Sequence, residues 1–262
     1  MRQLKYFFVG KKVYQKLFSW LHKLSIEGLN YGGGSDFRYS GELYAANYIK
    51  SKIHGQELIT IFDVGANIGR YSLELANVFT DKYLKVYSFE PSATTFEKLC
   101  KITVSNPNIF PNCIGFSDTK QKVLLFSNGD LHSGIASIYK RNLDHVNIFL
   151  NHTEEIILDT IDNYCYEKGI GKIHFLKLDI EGHELFAIKG AMEMIKRNEI
   201  KFIQFEFGGC NIDSRTYFQD FWYLLKDYYQ FYRIVKDGLV PVNEYYETME
   251  IFTTVNYLLE LK

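Results

Sequence analysis

"LITIFDVGANIGRYSLELANVF", residues 58 to 79, decides the fold. Its first part, LITIFDVG, is a short apolar run rich in β-branched residues and stopped by a glycine, the pattern of a buried strand. The remainder is helical, with Ile68, Tyr71, Leu75 and Val78 recurring on one face. Between them lies a D-x-G-x-x-x-G turn, running from Asp63 through Gly65 and Asn67 to Gly69. Gly65 removes a Cβ where the backbone must turn tightly and a ligand approaches. Gly69 falls where the start of the helix packs close to the strand.

The same alternation continues outward. LKVYSFE is a second strand, and SATTFEKLCKIT a second helix with Ser92 as its N-cap. NIFPNCIGFSD is a third extended segment. QKVLLFS and TEEIILDT are β segments flanking the polar excursion NGDLHSGIASIYKRNLDHVN. KIHFLKLDI is a core strand, followed by a helix over Leu185, Ile188, Ala191 and Ile195, then the core strand KFIQFEF. RTYFQDFWYLLKDY is helical, and FYRIVK, the turn at Asp237-Gly238 and MEIFTTVNYLL close the chain. Strands alternating with helices at this spacing predict a doubly wound, mostly parallel sheet covered on both faces, with an antiparallel C-terminal edge.

Composition is that of a globular domain: 262 residues, 47% hydrophobic and 23% charged, with a formal net charge of −1. That balance disfavours nucleic acid as a partner. Cys100, Cys113, Cys165 and Cys210 lie far apart without a CxxC pair, against zinc or a disulfide framework and in keeping with a reducing, cytoplasmic setting. The 16% of aromatic residues is read as compositional bias, although Tyr39, Tyr44 and Trp222 are candidates for stacking on a sugar ring. Residues 1–37 form a helical appendage with a glycine-rich hinge at NYGGGSDF, and residues 38–262 the α/β domain. The first two dozen residues carry lysines every few positions, so neither a signal peptide nor a spanning helix is expected. Leu17, Phe18 and Leu21 recur there at helical spacing, and the helix is expected to pack on the domain with its lysines in water. Peripheral contact with a membrane surface is the alternative.

In such sheets ligands bind beyond the carboxyl ends of the strands, at the switch point of the winding. The turn after the first strand lacks the middle glycine of the dinucleotide fingerprint and puts the carboxylate of Asp63 first. A carboxylate there repels a pyrophosphate but accepts a hydrogen bond from an ammonium group. S-adenosylmethionine, with an amino-acid tail, a sulfonium and a ribose, suits it better than NAD. Glu90 ends the second strand about 20 residues past the glycine turn, placed to grip ribose hydroxyls. Asp118 ends the third segment, where an adenine amino group would lie. Asp63, Gly65, Asn67, Gly69, Glu90 and Asp118 are therefore the candidate cofactor contacts.

The second focus is FLKLDIEGHE, residues 175 to 184. Asp179 falls at the tip of a central strand, on the same rim as Asp63 and Glu90. It is a candidate base for an acceptor hydroxyl, a ligand with Glu206 for a divalent cation such as Mg, or the cap of the next helix. His183 is the natural base at neutral pH, and otherwise a solvent-facing turn histidine. Glu181 is a weaker candidate, Glu184 belongs to the helix start, and Gly182 allows a tight exit from the strand.

Taken together, FDVGANIGRYS, FEPSATTFEKL, ILDTID and FLKLDIEGHE resemble the FkbM family of S-adenosylmethionine-dependent methyltransferases, over about residues 58–207 with a weaker echo at TTVNYLL. Lys177, Asp179, Glu181, Gly182 and Glu184 match the family's K-x-D-x-E-G-x-E signature. The resemblance implies a class I methyltransferase fold and methyl transfer to an oxygen, often a hydroxyl of a sugar or natural product. It also implies cofactor contacts at Asp63, Gly65 and Glu90, and an acceptor end at Asp179 to Glu184. The competing expectations are an NAD-dependent sugar oxidoreductase and a methyltransferase-like binding module without catalysis.

Overall fold

The strand Ile59–Val64 (β1) is buried at every position, as a strand covered by helices on both faces must be. The computed structural model describes residues 7–32, 37, 40–55, 58–130 and 134–262. Leu84–Phe89 (β2), Ile109–Asn112 (β3), Ile173–Leu178 (β7) and Ile200–Phe207 (β8) run parallel to β1, in the order β3-β2-β1-β7-β8. Strand order therefore reverses at β1, where the chain's winding changes side. Val255–Leu261 (β11) enters antiparallel between β8 and Tyr229–Val235 (β9), and Gly238–Val242 (β10) completes the edge as a hairpin on β9. Pro241 is tolerated there because β10 is the outermost strand.

Side-chain alternation divides the core in two. Phe62, Leu176 and Phe205 point to one face, into the cluster that holds Phe218 and Phe221. Ile61, Phe175 and Phe202 point to the other, against Leu75 of helix Arg70–Val78, Phe79 at its C-cap, and Ala45 and Ile49 of helix Glu42–Lys52.

Several features depart from the linear reading. The third extended segment breaks after Asn112, and Gly115–Phe116 (β4) leaves the main sheet. It joins a second, three-stranded sheet with Gln121–Ser127 (β5) and His152–Asp159 (β6). The single helix expected over Leu185 to Ile195 is two, Glu184–Lys189 and Met192–Lys196. A Cβ on Gly190, between them, would stand 2.0 Å from the Ser117 carbonyl oxygen, so the chain turns there against the small sheet's connection. Edge strand β10 and the short helix Cys210–Ser214 carry no clear sequence signal.

The expectation that the N-terminal helix packs on the domain fails. Helix Gln15–Gly28 buries none of its residues, and its contact with the core runs through Ile26. Residues 33–36, half of the glycine-rich hinge, lie outside the described residues. Tyr31 is nevertheless part of the core and the Gly32 N–H donates to Thr254 O, so the domain's contacts begin ahead of the expected boundary at residue 38. Among the described residues no helix is long and apolar enough to cross a membrane.

Candidate active site

The turns leaving β1 and β7 touch. Gly65 has φ +81°, and a Cβ on it would stand 1.8 Å from the Asp179 carbonyl oxygen, while Asp179 N–H donates to Val64 O at 3.0 Å. Only glycine satisfies both the left-handed backbone and that approach. Above these turns lies a cavity of about 680 Å³. One wall is the rim of the main sheet, with Gly65, Asn67, Glu90, Asp179, Glu181 and His183; the other is the underside of the small sheet, with Leu125, Ile156 and Leu158. Glu90, Asp130, Glu154, Asp179 and Glu181 all line it, and no lysine or arginine does so among the described residues.

The candidate cofactor residues divide. Glu90 faces the cavity and accepts from the N–H groups of Asn67 (3.1 Å) and Ser92 (3.0 Å). Burial raises its carboxyl to about 7, against the lowering effect of those two hydrogen bonds. Asn67, at φ +50°, lines the cavity with a buried side-chain oxygen that has no partner in the protein. Asp63, by contrast, is fully buried beneath the rim, accepts from Ser72 Oγ at 2.5 Å and lies 3.7 Å from Lys177 Nζ. The ammonium group it faces is the chain's own. Gly69 is also structural: a Cβ there would meet Leu99 and Thr103 of the next helix, not the strand. Asp118 does not reach the cavity; it is exposed, because β4 turns out of the main sheet before it. Ser92 sits at the N-cap position, but Glu154 supplies the cap, accepting from Ser92 Oγ and Ala93 N–H at 2.7 Å each.

The acidic turn is over-determined. Glu184 is fully buried and accepts from the N–H groups of Ile180 (2.9 Å) and Gly182 (3.2 and 3.0 Å), so it staples the loop instead of facing substrate. Burial pushes its carboxyl up to about 8. Glu184→Ala leaves both N–H groups unsatisfied and should cost about 2–4 kcal/mol in urea unfolding; a loss below about 1 kcal/mol contradicts the staple. Glu181, at φ +51°, pairs with Arg141. Burial and the nearby Asp179 raise its carboxyl to about 7, opposed by Arg141. His183 is not solvent-facing: it is 6% exposed and stacked 4.8 Å from Phe186. Its two ring nitrogens engage Tyr139 Oη (2.8 Å) and Ser117 Oγ (2.9 Å). Burial lowers its pKa to about 4, leaving a neutral ring at pH 7.

Sequence reading missed the groups that organise this turn. From the polar excursion, Ser137 Oγ donates to Glu181 O at 2.8 Å, Tyr139 reaches His183, and Arg141 reaches Glu181 and, at 3.5 Å, Asp213. No local pattern marks Ser137, Tyr139 and Arg141, because the chain bends at Ile138 and Tyr139 and folds back as Arg141 N–H donates to Tyr139 O at 2.9 Å. Lys177 belonged to the quoted signature but had no role. It is 4% exposed, 3.1 Å from Asp179 and 4.4 Å from the centroid of Tyr71. Burial alone would lower its pKa, but Asp179, Asp63 and Glu42 together hold it above its ordinary value. Of the aromatics expected to stack on a sugar, Tyr39 lies outside the described residues. Tyr44 is exposed away from the cavity, and Trp222 packs on Phe231 at 5.0 Å.

A sheet wound in this order, with its last strand inserted antiparallel and an acid-lined cavity at the switch point, is that of a class I methyltransferase. The chain belongs to the FkbM methyltransferase family, whose domain model ("Methyltransferase FkbM domain") matches residues 63–231. Its fold is similar to that of Methyltransferase FkbM from Methylobacillus flagellatus KT, at 18% identity and a TM-score of 0.47 over 85% of this chain; the chain spans half of that protein. It is also similar to SMU.1697c from Streptococcus mutans, solved with SAH, at 10% identity and a TM-score of 0.44 over 84% of this chain and 97% of that one. The N-terminal domain of human METTL16, also solved with SAH, gives 9%, 0.43, 84% and 68%. No curated protein matches the chain.

Proposed function

We propose that this methyltransferase uses S-adenosylmethionine to methylate a hydroxyl of a sugar or glycan. The observation that carries this reading is the cavity's charge: carboxylates line it and no lysine or arginine does, among the described residues. A sulfonium and an ammonium are favoured there, whereas the pyrophosphate of NAD, a nucleotide sugar or a phosphodiester is repelled. Carboxylates only accept hydrogen bonds, so a polyhydroxylated acceptor, which donates them, suits the same walls. A neutral or cationic glycan is the acceptor class to expect.

The residues fit the cofactor. Glu90 would accept from the ribose hydroxyls and the unpartnered Asn67 oxygen would take a further donor, over a floor closed by the packing of Gly65 on the Asp179 carbonyl. When bound, the cofactor supplies an electrophilic methyl on a sulfonium. The protein supplies proximity and a base. Asp179 is that base, because Glu184 staples its own turn, both nitrogens of His183 are engaged, and of the two acids that each pair with one cation Asp179 is the more open to the cavity, 36% exposed against 18% for Glu181. A second reading rests on Asp179, Glu181 and Glu206, whose carboxylate oxygens lie within 4.8 Å of one another, as ligands of a divalent cation would. Lys177 and Arg141 already supply much of the positive charge such a cation would bring, which favours the base.

Thermal-shift titration should show stabilisation by SAH and none by NADH; the reverse overturns the proposal. Glu90→Gln should weaken SAH about 10- to 100-fold through loss of a charged acceptor. Because the free Glu90 carboxyl sits at about 7, donors bind it better once it ionises, so wild-type affinity rises with pH through that value. Calorimetry from pH 6 to 8 should show that rise in the wild type and lose it in the variant. Methyl transfer to nucleotide sugars in preference to neutral glycans would refute the acceptor class.

A further inference from the structure

We infer that the helix Gln15–Gly28 docks the protein on an anionic lipid surface. At 3.6 residues per turn, Leu17, Phe18, Trp20, Leu21 and Leu24 share one face, while Gln15, Ser19, His22 and Lys23 occupy the opposite one. The apolar face is open: Trp20 is 59% exposed, Leu24 52% and Leu17 51%, although Ile26 on the other side touches the domain core. A soluble helix normally turns that stripe inward. Here the domain leaves it to water.

The occupant follows from charge. Lys11 and Lys12 precede the helix, Lys16 flanks the apolar face and Lys23 lies on the polar side, and Glu27, at the far end, is the first acid of the chain. Two copies meeting through it would bring lysine against lysine, without the opposite-sign flanks that helix pairing uses. An anionic bilayer complements both features, accepting the apolar residues among its acyl chains and the ammonium groups among its headgroups. The helix has 14 residues and is too short and polar to span, so it lies in the interface plane.

Trp20 and Trp222 are the chain's two tryptophans, so Trp222→Phe makes Trp20 the sole indole probe. With the full chain, vesicles of phosphatidylcholine containing about one-third phosphatidylglycerol should shift Trp20 emission to the blue and carry the protein in flotation. Partition should exceed that into pure phosphatidylcholine by about tenfold and fall with added salt. Leu21→Glu with Leu24→Glu should abolish flotation while leaving the melting temperature and SAH binding unchanged. No flotation, or flotation that survives the double substitution, overturns the inference. So does a blue shift that appears without vesicles and tracks a dimer in light scattering. None of these readouts depends on methyl transfer.

Discussion

Turnover should fall by about 10²- to 10⁴-fold in Asp179→Asn, with SAH affinity unchanged, because a positioned base contributes that much to proton removal from a hydroxyl. Asp179 lies on the rim where the turns of β1 and β7 meet, and its side chain is 36% exposed, against 18% for Glu181. It can therefore take a proton from an acceptor in the cavity and return it to water. Its partner Lys177, at 3.1 Å, fixes the carboxylate without consuming both oxygens, since the contact is to Oδ2. The isosteric amide keeps that shape but cannot accept a proton. Normal turnover in Asp179→Asn ends the assignment of the base. If instead wild-type activity is lost in EDTA and restored by Mg, the three-carboxylate reading replaces it.

Stability should suffer most in Lys177→Met, by about 3–5 kcal/mol, the range for removing one partner from a buried ionic group. The lysine stands among Asp63, Asp179 and Glu42; Asp63 is fully buried and Glu42 only 7% exposed. Burial already raises the pKa of Asp63 and of Glu42 above their ordinary values, with Lys177 as the main opposing influence on each. Without it both rise further. A carboxyl whose folded pKa is raised binds protons in the folded state that the unfolded state has released, so the variant should regain stability as pH falls from 7 toward 5. Urea midpoints across that window, and the double variant with Asp63→Asn, test the assignment. A pH-independent loss below about 1 kcal/mol would place Lys177 outside the electrostatic core.

Both predictions rest on residues that the sequence made visible to different degrees. Gly65, Glu90 and Asp179 were legible, because strand period and turn chemistry are local and each falls at a strand tip. Glu184 was read as structural from its place at a helix start, and it is so placed, though as a staple on two N–H groups. Lys177 sat in plain view in the signature, but nothing local reveals that its ammonium group lies beneath the rim beside Asp63. Asp63 was assigned from the chemistry of a strand-tip carboxylate and Asp118 from its place at the end of the third segment. One is sealed under the floor and the other carried outward when β4 changes sheets.

What the sequence by itself determined is the winding: alternating strand and helix patterns, the glycine turn, and the place of Glu90 and Asp179 at strand tips. Those follow from side-chain periods of 2 and 3.6 and from the backbone freedom of glycine, all of which act within a few residues. Tertiary structure alone decided which acids face the cavity. It also set the strap of Ser137, Tyr139 and Arg141 on the acidic turn, insulated His183 on both nitrogens, and left the N-terminal helix with its apolar face open. These depend on contacts between segments distant in the chain and on the burial those contacts create, which no local pattern encodes.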